Sequence, residues 1–495
     1  MRRCLPVVGV LITLLWVPSI AQDARGALDA AIAAMGASNL HAVEYTAVKG
    51  NQYALGQAPG PGKPWPRFTV TQYSMRINYD ALVMREQTTR IDDEKPPRGG
   101  GAGGYNPESQ QGGIRPIPFG PNVITTLRNG QTPDGALQIW LTPHGFLKGA
   151  AANAATLTAT PRDRNGSLSL SFKAFEKYTV TGTLTRDNLV ERVRTTVAHP
   201  LYGDSVIETQ FSGYQDVGGV KFPSRMIQRQ GGFPLLDVAL TAQPGAAAAA
   251  ALTVPAPGAR GRGQGEGPAP APAQGTARLT TRELAPGFWA IAGIQSFIID
   301  FRDFVVVVEA PASPARMEEV LAEARLLAPG KPIRYVVNSH QHADHSGGLR
   351  AAVAAGLTIL THEVNVPFYN TMLRNPATIE PDALARNPRA PILEGVADKK
   401  VITDGTRVVE VHHVRGNLHS EGLLMVYLTK ERMLIQADLF SPRQAEAKPL
   451  PWSTITANFY DNIRRLKLDV AQMVHVHGGT DPFDKLVAAA NLPHE

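Results

Sequence analysis

Four potential metal ligands lie within six residues of the chain, His340, His342, Asp344 and His345. They follow residues 333–338, whose apolar run predicts a buried strand. The two histidines at positions i and i+2 project to the same side of an extended segment. Asp344 and His345 fall at the turn that follows, where they reach a second position nearby. Because imidazole and carboxylate are donors that suit zinc, the spacing predicts a metal site at the end of this strand.

Further ligands must come from other strand ends, and three residues stand in that context. His419 precedes a predicted strand, Asp438 ends another, and His477 closes a third. Strand ends on one side of an α/β sheet are the usual place for a site in such folds. These three residues are therefore the predicted partners of the first cluster.

The order of these blocks resembles that of the metallo-β-lactamase superfamily, and the resemblance covers residues 278–495. It implies an αββα sandwich with two zinc ions at one edge, with iron or manganese as alternative metals and no other cofactor. By position, the first zinc is assigned to His340, His342 and His419, the second to Asp344, His345 and His477, and the bridging role to Asp438. Asp344 is also the predicted catalytic residue, because it would orient the attacking hydroxide.

The resemblance implies a zinc-dependent hydrolase whose metal-bound hydroxide attacks an ester, lactone, thioester or amide bond. Two departures from the family pattern concern the rim of the pocket: His475-Val476 stand where Pro-Gly is common, and Asn417-Leu418 replace common glycines. Specialists for β-lactams usually carry cysteine or serine at the bridging position, so Asp438 favours the broader hydrolase branches.

Two other classes of protein remain open. One is a di-iron redox enzyme on the same scaffold, and the other is a non-catalytic envelope protein that binds a partner and is stabilised by metal. The chain has no glycine-rich phosphate-binding motif for the flavin domain that the redox branch normally uses, and the intact ligand set argues against the second class.

Several polar residues near these blocks are interpreted as lying outside the metal site. The histidines in this group are His362, His412, His413 and His475. Glu309 is interpreted as a structural acceptor. Tyr369 could lie on the rim of the site, but a solvated side chain with no role there is the preferred interpretation. His362 follows a predicted strand and could contact a metal-binding residue without binding the metal itself.

The chain divides at residues 244–277, an Ala/Pro/Gly stretch that predicts a linker. Residues 278–495 alternate strands with helices, which indicates a layered α/β domain. Residues 22–243 predict a mostly antiparallel β domain of unknown role, with one helix over 27–35 and another over about 135–154. Residues 95–113, rich in Gly, Pro and Gln, predict a surface loop.

Residues 1–21 have the basic start, short apolar run and small-residue cleavage site of a signal peptide. They predict a periplasmic or secreted protein with no membrane span after cleavage; a retained anchor is the alternative. The only cysteine is Cys4, so the mature chain would have no thiol ligand and no disulfide.

The net charge of +6 without a basic run gives no support to a nucleic-acid partner. A small-molecule substrate is expected, and a protein partner of the N-terminal domain is left open.

Overall fold

The structure is a computed structural model. It describes residues 19–94, 98–100, 122–254, 279–292, 296–440 and 453–490. Most of the predicted signal peptide, linker and 95–113 loop therefore lies outside the described residues.

The N-terminal part is a 13-stranded antiparallel sheet with a separate two-stranded ribbon, β11–β12. Its order is β15-β1-β3-β2-β14-β13-β10-β9-β8-β7-β6, with β4 paired to β3 and β5. The strands are β1 (Ala42–Ala47), β2 (Gly50–Tyr53), β3 (Arg67–Asn78), β4 (Val83–Ile91), β5 (Asn122–Asn129), β6 (Thr158–Ala159), β7 (Leu168–Ala174), β8 (Tyr178–Leu184), β9 (Val190–His199), β10 (Gly203–Ser212), β11 (Gln215–Val217), β12 (Val220–Phe222), β13 (Arg225–Gln230), β14 (Phe233–Ala239) and β15 (Thr241–Pro244).

Helices cover one face of this sheet. They are α1 (Ser19–Met35), α2 (Pro133–Trp140) and α3 (Pro143–Ala152), whereas the single turn α4 (Ala247–Ala250) packs against Ala42 of β1 in a small separate cluster. Leu28 and Phe146 of these helices pack with Tyr45 and Phe172 of the sheet in one apolar core. The sheet alternates buried and more exposed positions, as in β7 and β8, because only one of its faces meets the core.

Two helical predictions in this part need correction. The first helix covers Ser19–Met35 and therefore includes residues before the predicted start at Ala27. The single helix expected over 135–154 is two helices, because Pro143 lacks an N–H and its ring would clash with the carbonyl of the preceding turn. Thr132 caps α2 by accepting a hydrogen bond from the Gly135 N–H, and a proline starts each helix.

The C-terminal part contains two further sheets, of seven and six strands. The first runs in the order β16 (Thr281–Ala285), β17 (Phe288–Ile291), β18 (Ser296–Asp300), β19 (Val305–Val308), β20 (Ile333–Val337), β21 (Thr358–His362) and β22 (Ile392–Val396). The second runs in the order β23 (Lys399–Thr403), β24 (Val408–His413), β25 (Leu424–Leu428), β26 (Met433–Gln436), β27 (Gln472–His475) and β28 (Thr480–Pro482). Strands β19 to β22 are parallel, as are β26 and β27.

Helices cover the outer faces of both sheets. They are α5 (Pro314–Leu327), α7 (Leu349–Ala354), α8 (Val366–Met372), α9 (Ala383–Arg386), α10 (Ser453–Leu466) and α11 (Phe483–Ala490), whereas the single turn α6 (Ala343–Ser346) lies at the end of β20. Short 3₁₀ turns cover Ala37–Asn39, Ala154–Thr156 and Glu363–Asn365. Side chains of the two sheets, such as Val306 and Val426, share one core between them. Separate apolar layers join α5 and α7 to the first sheet and α10 and α11 to the second. The predicted αββα sandwich after a mostly antiparallel β domain is confirmed.

The two parts of the chain are in direct contact. The Asp204 carboxylate accepts hydrogen bonds from the Thr378 N–H at 2.9 Å and the Thr378 hydroxyl at 2.7 Å. Asn375 donates to the Tyr202 carbonyl at 3.0 Å. A second contact is made by the loop between β2 and β3, which reaches residues 341–344 of the C-terminal part.

Among the helices of the described residues, none is both long enough and apolar enough to cross a membrane.

Candidate metal centre

The His-x-His-x-Asp-His segment leaves the end of β20 and is held from behind by buried polar groups. Asn338 donates a hydrogen bond to the His345 carbonyl at 3.0 Å. The Tyr369 hydroxyl, which is fully buried, contacts the Asn338 side-chain oxygen at 2.5 Å and the His340 carbonyl at 3.1 Å. Tyr369 is therefore neither a solvated residue nor a rim residue: it supports the segment from inside the protein.

Three histidine nitrogens converge at the first position. His340 Nε2 lies 2.9 Å from His342 Nδ1 and 3.2 Å from His419 Nε2. With one oxygen of Asp438, these atoms all lie within 4.8 Å of one another. His419 reaches the position from the loop before β25, where its backbone N–H donates to the Asn417 side-chain oxygen.

The second position is formed by Asp344, His345 and His477, again with Asp438. His345 Nε2 lies 3.1 Å from His477 Nε2 and 3.2 Å from Asp344 Oδ2. His477 Nε2 is 3.3 Å from the same Asp344 oxygen. His477 follows the end of β27, so it reaches the site from the sheet opposite β20.

Asp438 lies between the two positions. Its Oδ2 is 3.1 Å from His419 Nε2 and 3.0 Å from His345 Nε2, and its Oδ1 is 3.2 Å from His477 Nε2. The residue has a left-handed φ of 62°, which is rare for a side-chain-bearing residue and is typical of functional sites. The structure therefore brings all seven predicted ligands together.

Neighbouring groups determine which nitrogen of each histidine is free to bind a metal. The Ala58 carbonyl can only accept, so His342 Nε2 must carry the proton that donates to it at 2.8 Å. This leaves His342 Nδ1 as the ligand atom. Ser339 Oγ lies 2.9 Å from His340 Nδ1, and Glu309 Oε2 lies 3.4 Å from His345 Nδ1. These contacts leave Nε2 of both histidines facing the cluster, as in metal sites whose ligands are oriented by outer hydrogen bonds.

The charges of the cluster favour a cation. Burial raises the pKa of Asp344 and of Asp438, but the neighbouring His345 outweighs this effect and holds both carboxyl pKa values well below the ordinary range. Burial would lower the pKa of His345, but the same two carboxylates raise it well above its ordinary value. Burial lowers the pKa of His342 to about 3 and that of His340 well below its ordinary value. Two ionised carboxylates thus stand beside the neutral imidazoles of His340 and His342, whereas His345 keeps its proton until a metal ion replaces it.

The donor set fits divalent metal ions. Imidazole nitrogens face one another at distances of 2.9–3.2 Å. A neutral imidazole has one nitrogen without a proton, so in this arrangement most of the lone pairs on these nitrogens receive no hydrogen bond. Asp438 also carries a buried carboxylate oxygen, Oδ1, without a hydrogen-bond donor. Buried polar groups of this kind are costly unless something pairs with them, and a shared cation at each position would do so.

The β2–β3 loop, residues 54–66, is a part of the site that sequence reasoning missed. Gln57 Nε2 donates a hydrogen bond to Asp344 Oδ1 at 3.3 Å, although the two residues are 287 positions apart in the sequence. The Ala58 carbonyl accepts from both His342 and Gln341, the latter at 2.7 Å. Nothing in the sequence of this Gly/Pro/Ala-rich loop indicates such contacts, because they depend on how the two parts of the chain pack together.

The residues interpreted as lying outside the site do so. His362 and His413 pack against each other with ring centroids 3.9 Å apart and ring planes tilted by 45°, and His412 lies 2.8 Å from Glu410. His475 contacts Gln436 and Asp481. Glu309 is fully buried behind His345, with its Oε2 3.4 Å from His345 Nδ1, and is not part of either cluster.

A four-layer sandwich with a His/Asp cluster at the strand ends defines the class of metal-dependent hydrolases with this fold. Residues 292–494 match the family model of the metallo-beta-lactamase superfamily, which confirms the resemblance found for this part of the sequence. This match supports a metal-dependent hydrolase.

Solved structures with similarity to the chain include two from named bacteria. A metallo-β-lactamase from Pontibacter korlensis has 19% sequence identity and a TM-score of 0.34, and the match covers 43% of this chain and 98% of that one. A metallo-β-lactamase from Erythrobacter litoralis, with β-mercaptoethanol in its active site, has 15% identity and a TM-score of 0.32, covering 44% and 96%. No curated protein matches the chain.

Proposed function

We propose that the protein is an exported, dinuclear zinc hydrolase that cleaves an ester, lactone, thioester or amide bond of a small molecule. The observation that carries the proposal is the pair of ligand clusters joined by Asp438, whose two carboxylate oxygens face different histidines. Asp438 rather than cysteine or serine at this position supports a hydrolase that is not specialised for β-lactams. Export rests on the signal-peptide pattern of residues 1–21.

Zinc ions bound at the two positions would supply Lewis acidity and make a water molecule nucleophilic near neutral pH. The histidines of the first cluster are almost fully buried and hold its geometry, since the side chains of His340 and His419 are 0% and 9% exposed. His345 and His477 hold the second position from opposite sheets. The donor set thus provides two adjacent cation positions on rigid strand ends, as hydrolytic chemistry requires.

Asp344 has the geometry for proton handling. Its Oδ2 faces His345 and His477, whereas its Oδ1 points away from them toward Gln57. The carboxylate can therefore hold the attacking water in line through one oxygen and accept its proton. It can then pass that proton to the leaving group, the usual task of a positioned carboxylate in hydrolysis.

A hydrolysis panel with metal removal tests this function. We expect the zinc-loaded protein to hydrolyse at least one ester, lactone, thioester or amide substrate. Removal of metal by a chelator should lower the rate by at least about 10³-fold, because the nucleophile and the Lewis acid are lost together. Re-addition of zinc should restore the rate.

The controls separate the proposal from its alternatives. Iron that restores an oxygen-consuming activity, with no hydrolysis in the zinc form, would favour the redox enzyme. Zinc binding with no turnover of any substrate in the panel would favour the non-catalytic envelope protein. Hydrolysis that survives complete metal removal would contradict the proposed mechanism.

A further inference from the structure

The β2–β3 loop of the N-terminal sheet is attached to the metal centre by several independent contacts. Besides Gln57 and Ala58, the Pro59 carbonyl accepts from the Glu421 N–H at 2.9 Å, and Lys63 pairs with the Glu421 carboxylate at 2.6 Å. Glu421 lies two residues after the ligand His419. The loop thus bridges the His340–His345 segment and the His419 loop.

Residues 99 and 100 close the other side of this contact. The Gly99 N–H donates to the Leu418 carbonyl at 2.8 Å, and the Gly100 N–H donates to the Gln57 carbonyl at 2.9 Å. A Cβ at Gly100 would lie 1.9 Å from Gln57 Oε1 and 3.1 Å from His342 Cε1. The Gln57 side chain is therefore confined between a glycine and the metal centre.

Because its side chain is confined, the Gln57 amide is directed at one oxygen of the Asp344 carboxylate. Its Nε2 donates to Asp344 Oδ1, the oxygen that does not face His345 and His477. A carboxylate with one oxygen held in this way has its rotation restricted, so the other oxygen stays directed at the second metal position. Outer hydrogen-bond partners of ligating carboxylates orient them in this manner.

We propose that Gln57 is a positioning residue for Asp344, supplied to the metal centre by the N-terminal domain. The N-terminal domain then contributes residues to the site. Gln57 orients Asp344, a ligand of the second metal, and the Ala58 carbonyl fixes the tautomer of His342. The proposal rests on the proposed function for its effect on turnover, and on the ligand geometry alone for its effect on metal affinity.

The test is a substitution that keeps the shape of Gln57 and removes its donor. Gln57→Met in the full chain should weaken binding of the second zinc about tenfold in competition with a chromogenic chelator, within the range typical for loss of an outer partner. Gln57→Ser, which is too short to reach Asp344, should do the same. Gln72→Met, at an exposed position on β3, is the matched control and should bind zinc as the unaltered chain does.

Turnover gives a second readout. With an active substrate at saturating zinc, Gln57→Met should lower kcat about tenfold and change KM by less than about twofold, since the amide acts on Asp344 rather than on substrate. If the unaltered chain binds zinc but hydrolyses nothing, the proposed function fails while the chelator competition still decides the role of Gln57. Unchanged zinc affinity in both Gln57 variants would overturn the inference, because a residue that only fills space would tolerate methionine.

Discussion

Asp344→Asn is expected to lower kcat by about 10²–10⁴-fold at saturating zinc, the typical cost of losing a positioned proton-transfer group. Asparagine keeps the shape of the side chain but cannot accept a proton, and it removes one of the two negative charges that face His345 and His477. The second metal should also bind more weakly. The measurement is kcat on whichever substrate the hydrolysis panel identifies, with metal content determined on the same samples.

His362→Ala is the matched control for Asp344→Asn. His362 is a buried histidine of the same domain, but it contacts His413 and the Ala397 carbonyl rather than the metal centre. Its replacement should change kcat by less than about tenfold, far less than loss of the proton-transfer group. Near-full activity of Asp344→Asn together with an inactive His362→Ala variant would refute the mechanism.

The double variant His340→Ala/His342→Ala is expected to lose the first metal and to have no measurable hydrolysis. Both ligand nitrogens lie 2.9 Å apart in the same cluster, and removal of both leaves His419 and Asp438 alone at that position. Two remaining ligands do not hold zinc tightly, because stable sites have three or four protein ligands. Metal analysis of the purified variant, beside the unaltered chain, measures the loss.

His413→Ala provides the comparison for this double variant. His413 faces the Glu421 carbonyl and lies outside both clusters, so its replacement should leave the metal content unchanged. A double variant that still contained as much metal as the unaltered chain would show that the ligand assignment is wrong.

The metal centre was largely predictable from the sequence because its ligands occupy recognisable places relative to strands. His340 and His342 follow the apolar strand β20, and Asp438 and His477 follow β26 and β27. Strand direction and alternation are local properties, so the convergence of these residues follows from the topology of the α/β domain. The same reasoning placed Glu309 behind a ligand.

The parts that could not be predicted depend on packing between distant segments. Gln57 and Ala58 lie in a loop without periodicity, and only the docking of the two domains brings them to His342 and Asp344. The burial of Tyr369 is also a tertiary property, since an aromatic residue with a hydroxyl suits both a rim and an interior. The break between α2 and α3 was readable in principle from Pro143.

Zinc titration of the metal-free full chain, followed by calorimetry, tests the central claim most directly. Two ligand clusters that share Asp438 predict saturable binding of about two zinc ions per chain, as in dinuclear hydrolytic sites. Binding should release protons, because at least His345 must lose its proton to become a ligand. Saturation at a single zinc ion, or the absence of saturable binding, would contradict the dinuclear centre on which the proposed function rests.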